Sequence, residues 1–301
     1  MATSAASPDV AAALASPARR SGRDLRQAPP RARVLVVASG KGGVGKTNLA
    51  VNLGLRLAMA GRRVLLVDCD LGLANVDLVL GQRPRGDLGH VLAGRMDLDA
   101  IIHDGPAGLR WIPGGSHVPD LARTDRPRRT ALFDALAREE ARHDFVLLDA
   151  PAGIGAGVLD LAGQADELVL VTTPEPTSMM DAYTLLKAVA ASRAGLPERV
   201  RLVVNMVAHR REGARVHRRM AEVAGRFLGV SVDLLGHVFC DGHVGRAVQK
   251  QQPFVLAYPH SQASWCVRQL AEGLMEDSAD AGGGRAGFFR RIANLLSTGH
   301  R

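Results

Sequence analysis

Eight residues constrain this chain more than any others. Gly40-Lys41-Gly42-Gly43-Val44-Gly45-Lys46-Thr47 stand between a short β-branched run, Val34-Leu35-Val36-Val37-Ala38, and a helical pattern over 47–60. They fit G-x-x-x-x-G-K-[ST] completely, with a strand before and a helix after. Glycines there let successive backbone N–H groups point at phosphate oxygens with no Cβ in the way. The N-terminus of the next helix adds its partial positive charge. The motif assigns Lys46 to the β- and γ-phosphates and the Thr47 hydroxyl to Mg²⁺. It implies a nucleotide site, with main-chain contacts from Gly40 through Thr47.

Similar apolar runs recur at 64–67, 145–148, 168–171 and 202–204, with helical patterns at 128–142, 178–192 and 214–227 between most of them. Runs that short, apolar on both faces, read as parallel strands joined by right-handed helical crossovers. The expected fold is therefore α/β, a doubly wound, mostly parallel sheet with helices on both faces. Ligands bind such sheets beyond the carboxyl ends of the strands. Asp68 and Asp70 directly follow the second run and Asp149 the third. Trp111, in a strand-and-turn segment, reads as core.

Charge separates the tails from the body. The net charge is +8, yet residues 1–33 and 285–301 carry +4 each and the stretch between them is neutral. A neutral body argues against a surface coated for non-specific DNA binding. Only four of the 38 basic residues are lysines, and two of them, Lys41 and Lys46, share the glycine-rich loop. Cys69, Cys240 and Cys266 form no C-x-x-C pair, which speaks against a disulfide framework or an iron–sulfur site. His209, His217, His237 and His243 lack metal-ligand spacing.

The expected organisation is a disordered basic arm over 1–31, a P-loop α/β domain over 32–276, a flexible linker over 277–284 and a helix over 285–301. In that helix Phe288, Phe289, Ile292, Leu295 and Leu296 share one face, bordered by Arg291. The pattern is that of an amphipathic membrane-targeting helix lying in a bilayer interface, the alternative being a helix that covers an apolar groove on the body.

Lys41, a second lysine directly after Gly40, makes the loop resemble the deviant Walker A of the MinD/ParA family of dimeric ATPases. The resemblance runs from about residue 33 to 297. It implies that Lys41 reaches the partner's phosphates across a homodimer. Val67-Asp68-Cys69-Asp70 through Asp77 resembles the first switch, in which Asp70 orients the attacking water. Leu148-Asp149-Ala150-Pro151 resembles the second, with Asp149 holding Mg²⁺ through water. Asp68 either supports this shell or touches the metal. Asn205 matches the asparagine that reads the adenine, and its other reading is a turn former ending a strand. The resemblance thus implies ATP and Mg²⁺ as cofactors, with Lys41, Lys46 and Asp70 as the catalytic set.

Within the family, D-L-G-L-A-N-V-D (70–77), V-T-T-P-E-P-T-S (171–178), R-F-L-G-V (226–230), Q-Q-P-F-V-L-A-Y-P (251–259) and G-F-F-R-R (287–291) are most similar to the FlhG branch, which governs flagellar number and placement. That branch implies an ATP-dependent switch in the cytoplasm, peripheral to the anionic inner face of the cell membrane when ATP-bound. Its implied partners are an FlhF-like GTPase, flagellar C-ring proteins or a flagellar transcription activator. One departure concerns the arm, where Asp24-Leu25-Arg26-Gln27-Ala28 is not the D-Q-A-x-x-L-R order associated with stimulation of the GTPase. The alternatives are a MinD-type division-site ATPase, a ParA-type partitioning ATPase and a nucleotide-binding anti-activator. Specific DNA binding is not expected.

Overall fold

The structure, a computed structural model, describes residues 31–70, 74–115, 126–277 and 286–298. Its first half runs β1 (Arg33–Ala38), α1 (Lys46–Met59), β2 (Val64–Asp68), α2 (Val76–Leu80), α3 (Leu88–Leu92), α4 (Leu98–Ile101), β3 (His103–Asp104), β4 (Arg110–Ile112), α5 (Arg126–Glu140) and β5 (Phe145–Asp149). The second half runs α6 (Ala156–Gln164), β6 (Glu167–Thr172), α7 (Pro176–Ala191), β7 (Arg199–Val207), α8 (Arg210–Leu228), β8 (Asp233–Phe239), α9 (Gly242–Gln249), α10 (Phe254–Ala257), α11 (Gln262–Glu276) and α12 (Phe288–Thr298). The strands lie in the order β3-β4-β2-β5-β1-β6-β7-β8, all neighbours parallel except β3 with β4.

Alternation along a strand sends successive side chains to opposite faces of the sheet. On β1, Val34, Val36 and Ala38 enter one core with residues of α5, α6, α7, α8 and α12. Leu35 and Val37 enter another with α1, α10 and α11. Both faces are thus covered, which is why the strands read as continuous apolar runs rather than alternating ones. Trp111 is fully buried in the second core, and its indole N–H donates to Gln82.

One expectation needs correction. The strand expected to end at Val204 continues to Val207, with register shifts against β8. Asn205 therefore sits inside an irregular strand rather than at its end. The helix expected over 285–301 is described over Phe288–Thr298 and packs on the body. Phe288, Phe289 and Ile292 are buried in the first core, and α12 lies against α5 and α6. Leu295 and Leu296 are half-buried, with Leu296 against the same core. Removing three large side chains from water contributes roughly 1.5–3 kcal/mol each. The helix start is seated by a buried carboxylate, because Glu140 accepts from the backbone N–H groups of Phe288 (2.9 Å) and Phe289 (3.2 Å). The stripe thus covers an apolar groove here, one of the two arrangements its pattern allows. The arm over 1–30 and most of the linker lie outside the described residues, as do Leu71, Gly72 and Leu73.

Candidate nucleotide site

The glycine-rich loop turns where β1 ends and α1 begins, and its glycines serve different purposes. Gly43 and Gly45 have φ of 79° and 85°, a left-handed backbone that side chains disfavour. Gly40 instead answers a close approach, since a Cβ there would lie 2.0 Å from the Asp181 carbonyl oxygen on α7. A Cβ at Gly42 or Gly43 would meet nothing within 4 Å, so the loop is open there. Both residues line a cleft of about 790 Å³ shared with Lys41, Lys46, Thr47, Asp70, Asn75 and Asn205.

Lys46 is the first residue of α1. Its ammonium donates to the Asp149 carboxylate at 2.7 Å, and both side chains are buried. Asp149 ends β5 between β1 and β2, and its register partner on β2 is Asp68. Parallel pairing thus brings together two carboxylates 81 residues apart in sequence. Burial pushes the Asp149 carboxyl above its ordinary value against the opposing pull of Lys46. Burial and the neighbouring Asp149 likewise push Asp68 up to about 7. Against this, Asp68 accepts from the backbone N–H groups of Asp70 (2.9 Å), Asn75 (3.1 Å) and Val76 (3.2 Å). Asp68 therefore ties the main chain at Asp70, Asn75 and Val76 to the end of β2. Burial and the adjacent carboxylates push the Cys69 thiol up, keeping it protonated.

Asn205 donates from Nδ2 to the Val44 carbonyl at 2.7 Å, and its Oδ1 accepts from the Met206 N–H. It braces the loop from the side while also lining the cleft. Lys41 is part-exposed, and its Nζ donates to Glu175 Oε2 (3.1 Å) and Thr177 Oγ1 (3.2 Å) of its own chain.

The opposite wall did not emerge from the sequence. It consists of Val238 to Asp241 and Val244, Val248, Gln251 and Phe254, from the end of β8 through α10. β8 is hard to read because Gly236 and His237 break its apolar run, and Gly236 marks a register shift. The signal available was the 251–259 phrase, which the fold brings to this wall.

Main-chain donors, a buried lysine, a hydroxyl and strand-end carboxylates fit a nucleotide with a hard divalent cation. Lys46 suits phosphate, and Thr47 and Asp149 offer oxygen atoms for Mg²⁺. A family model for the CobQ/CobB/MinD/ParA nucleotide binding domain matches residues 35–254. The chain belongs to this family. It is accordingly a P-loop NTPase of the MinD/ParA type, a switch ATPase that uses ATP and Mg²⁺.

Among relatives, the antiactivator FleN of Pseudomonas aeruginosa is 39% identical over 80% of this chain and 85% of its own. The flagellum site-determining protein YlxH of Helicobacter pylori is 30% identical over 88% of this chain and 90% of its own. The septum site-determining protein MinD of Pyrococcus horikoshii OT3, solved with Mg-ADP, superposes with a TM-score of 0.67 at 26% identity, covering 84% of this chain and all of that one. Further septum site-determining MinD proteins also match. Among the described residues no helix is long and apolar enough to cross a membrane.

Proposed function

We propose that the chain is a dimerising ATPase whose nucleotide state controls attachment to the cytoplasmic face of a membrane. The observation that carries this reading is the convergence of Lys41, Lys46 and Asp70 on one cleft, with Asp149 buried beneath it in an ion pair with Lys46. Lys46 binds the β- and γ-phosphates, which releases Asp149 to hold Mg²⁺ with Thr47. Asp70 orients the attacking water, and Lys41 leaves Glu175 to reach the phosphates bound by the second copy. Phosphoryl transfer to water asks the protein for positioning and charge neutralisation, and these groups supply both. Dimerisation displaces α12, whose apolar face then enters anionic lipid. Two such helices on one dimer raise avidity by about 10²–10⁴ over one.

The test measures phosphate release and sedimentation with anionic liposomes. Asp70→Ala should keep ATP binding and membrane attachment while losing turnover, and truncation after Gly284 should lose attachment while turnover continues. Equal turnover in wild type and Asp70→Ala, or attachment that ignores nucleotide, contradicts the reading.

For the cellular task, the breadth of MinD relatives and the MinD structures support spatial control of division, with a MinC-like protein as partner. FleN and YlxH support a second reading, flagellar control through an activator, FlhF-like or C-ring partner. Deletion in the native host separates them. Minicells support the first, altered flagellar number or gene expression with normal division supports the second, and neither phenotype contradicts both.

A further inference from the structure

The seat of α12 is held by two carboxylates, and both also bind the residue at which the N-terminal arm joins the body. Glu140, at the end of α5, is buried; its Oε1 accepts from Phe288 N–H and from Arg31 Nε at 3.3 Å, and its Oε2 accepts from Phe289 N–H. Asp166, just before β6, accepts at Oδ1 from Arg31 (2.7 Å) and from Arg291 of α12 (3.0 Å). Its Oδ2 accepts from the Val34 N–H on β1 at 2.9 Å, which fixes the carboxylate to the sheet. Arg291 also donates to the Gln164 carbonyl at the end of α6. Arg31, assigned to the arm by composition, is thus engaged with the body.

We infer that Arg31 is a clasp for the C-terminal helix: it bridges the two carboxylates that hold α12, so loss of Arg31 loosens the helix, and displacing the helix frees the chain at Arg31. The electrostatics follow from the shared partners. Without Arg31, the buried Glu140 carboxylate keeps the two N–H donors of α12 but loses a cation, and a buried charge stripped of a partner is costly. Without α12, Glu140 and Asp166 lose three of the donors that fix them, and the hold on Arg31 weakens. Such coupling is reciprocal by thermodynamic necessity.

The displacement of α12 at a membrane belongs to the proposed function, so the test reads the helix seat itself. Amide hydrogen exchange across 288–296 is measured in the full chain with ADP. Arg31→Ala should speed exchange there about tenfold, with exchange in the central strands and ADP binding unchanged. Arg31→Lys should fall between, since it keeps the charge and loses the two-pronged geometry. Deletion of residues 2–30, which retains Arg31, should match wild type, and truncation after Gly284 should speed tryptic cleavage at Arg31. Unchanged exchange in Arg31→Ala beside faster exchange in Glu140→Ala would show that Glu140 holds the helix alone and overturn the coupling. Unchanged exchange in both variants overturns it as well. Faster exchange in Arg31→Ala without greater binding to anionic vesicles would uphold the coupling and remove the membrane reading instead.

Discussion

Substituting Gly40 by alanine tests how the phosphate-binding loop is held. The added Cβ would lie 2.0 Å from the Asp181 carbonyl oxygen, 2.2 Å from its carbon and 2.9 Å from the Ala182 nitrogen. Ordinary contact begins near 3.4 Å, so loop and helix must separate by more than an ångström. Neither yields readily. The start of α7 is tied to β6 by Ser178 Oγ, bonded to the Thr173 N–H and to Thr172 Oγ1 at 3.0 Å each. The loop is tied by Asn205 at Val44. Overpacking of this kind costs about 1–3 kcal/mol. At roughly 2–4 °C per kcal/mol for a domain of this size, the melting temperature should fall by about 2–12 °C. A loop displaced that far also misplaces donors to phosphate. Loss of one charge-assisted bond, roughly 1.5–3 kcal/mol, lowers ADP affinity at least tenfold. Gly42→Ala is the control, because its Cβ meets nothing within 4 Å. Its ADP-free melting temperature should stay near wild type. Thermal unfolding and titration calorimetry read both effects. Wild-type behaviour of Gly40→Ala, or equal thermal damage from Gly42→Ala, refutes the reasoning.

Two further outcomes follow from the packing. Phe288→Ala should lower unfolding stability by about 3–5 kcal/mol in denaturant titration, as for a core phenylalanine; a loss under 0.5 kcal/mol, roughly the surface value, would mean that α12 is not seated. His143 is buried, and burial lowers its pKa despite the bond between Nδ1 and the Glu139 carbonyl. The folded state therefore favours the neutral ring. Its contribution is complete above about pH 6.5 and declines as pH falls below that value, because only the unfolded state then protonates readily. The slope of stability between about pH 6.5 and 5 should flatten in His143→Gln, and an unchanged slope contradicts the assignment.

What could be read from the sequence follows from how local each signal is. The loop was legible because its eight residues act through their own main chain, and the strands of the sheet centre because burial on both faces leaves unbroken apolar runs. Asp68 and Asp149 were legible as strand-end acids, whereas their adjacency depends on the β2–β5 register. The Lys46–Asp149 pair and the Lys41–Glu175 contact span 103 and 134 residues, beyond any local pattern. The tail shows the limit most clearly. Two phenylalanines, an isoleucine and two leucines on one face fit lipid or a protein groove equally, since both exclude water. What seats the helix here is Glu140, 148 residues before Phe288.

The central claim is that ATP joins two copies through Lys41. Its most direct test is the mass of the soluble species with Mg-ATP, by light scattering or sedimentation equilibrium. The Asp70→Ala chain should be a dimer with ATP and a monomer with ADP, and adding Lys41→Ala should return it to a monomer while ATP still binds. A mass that ignores nucleotide, or an ATP dimer that persists without Lys41, contradicts the account.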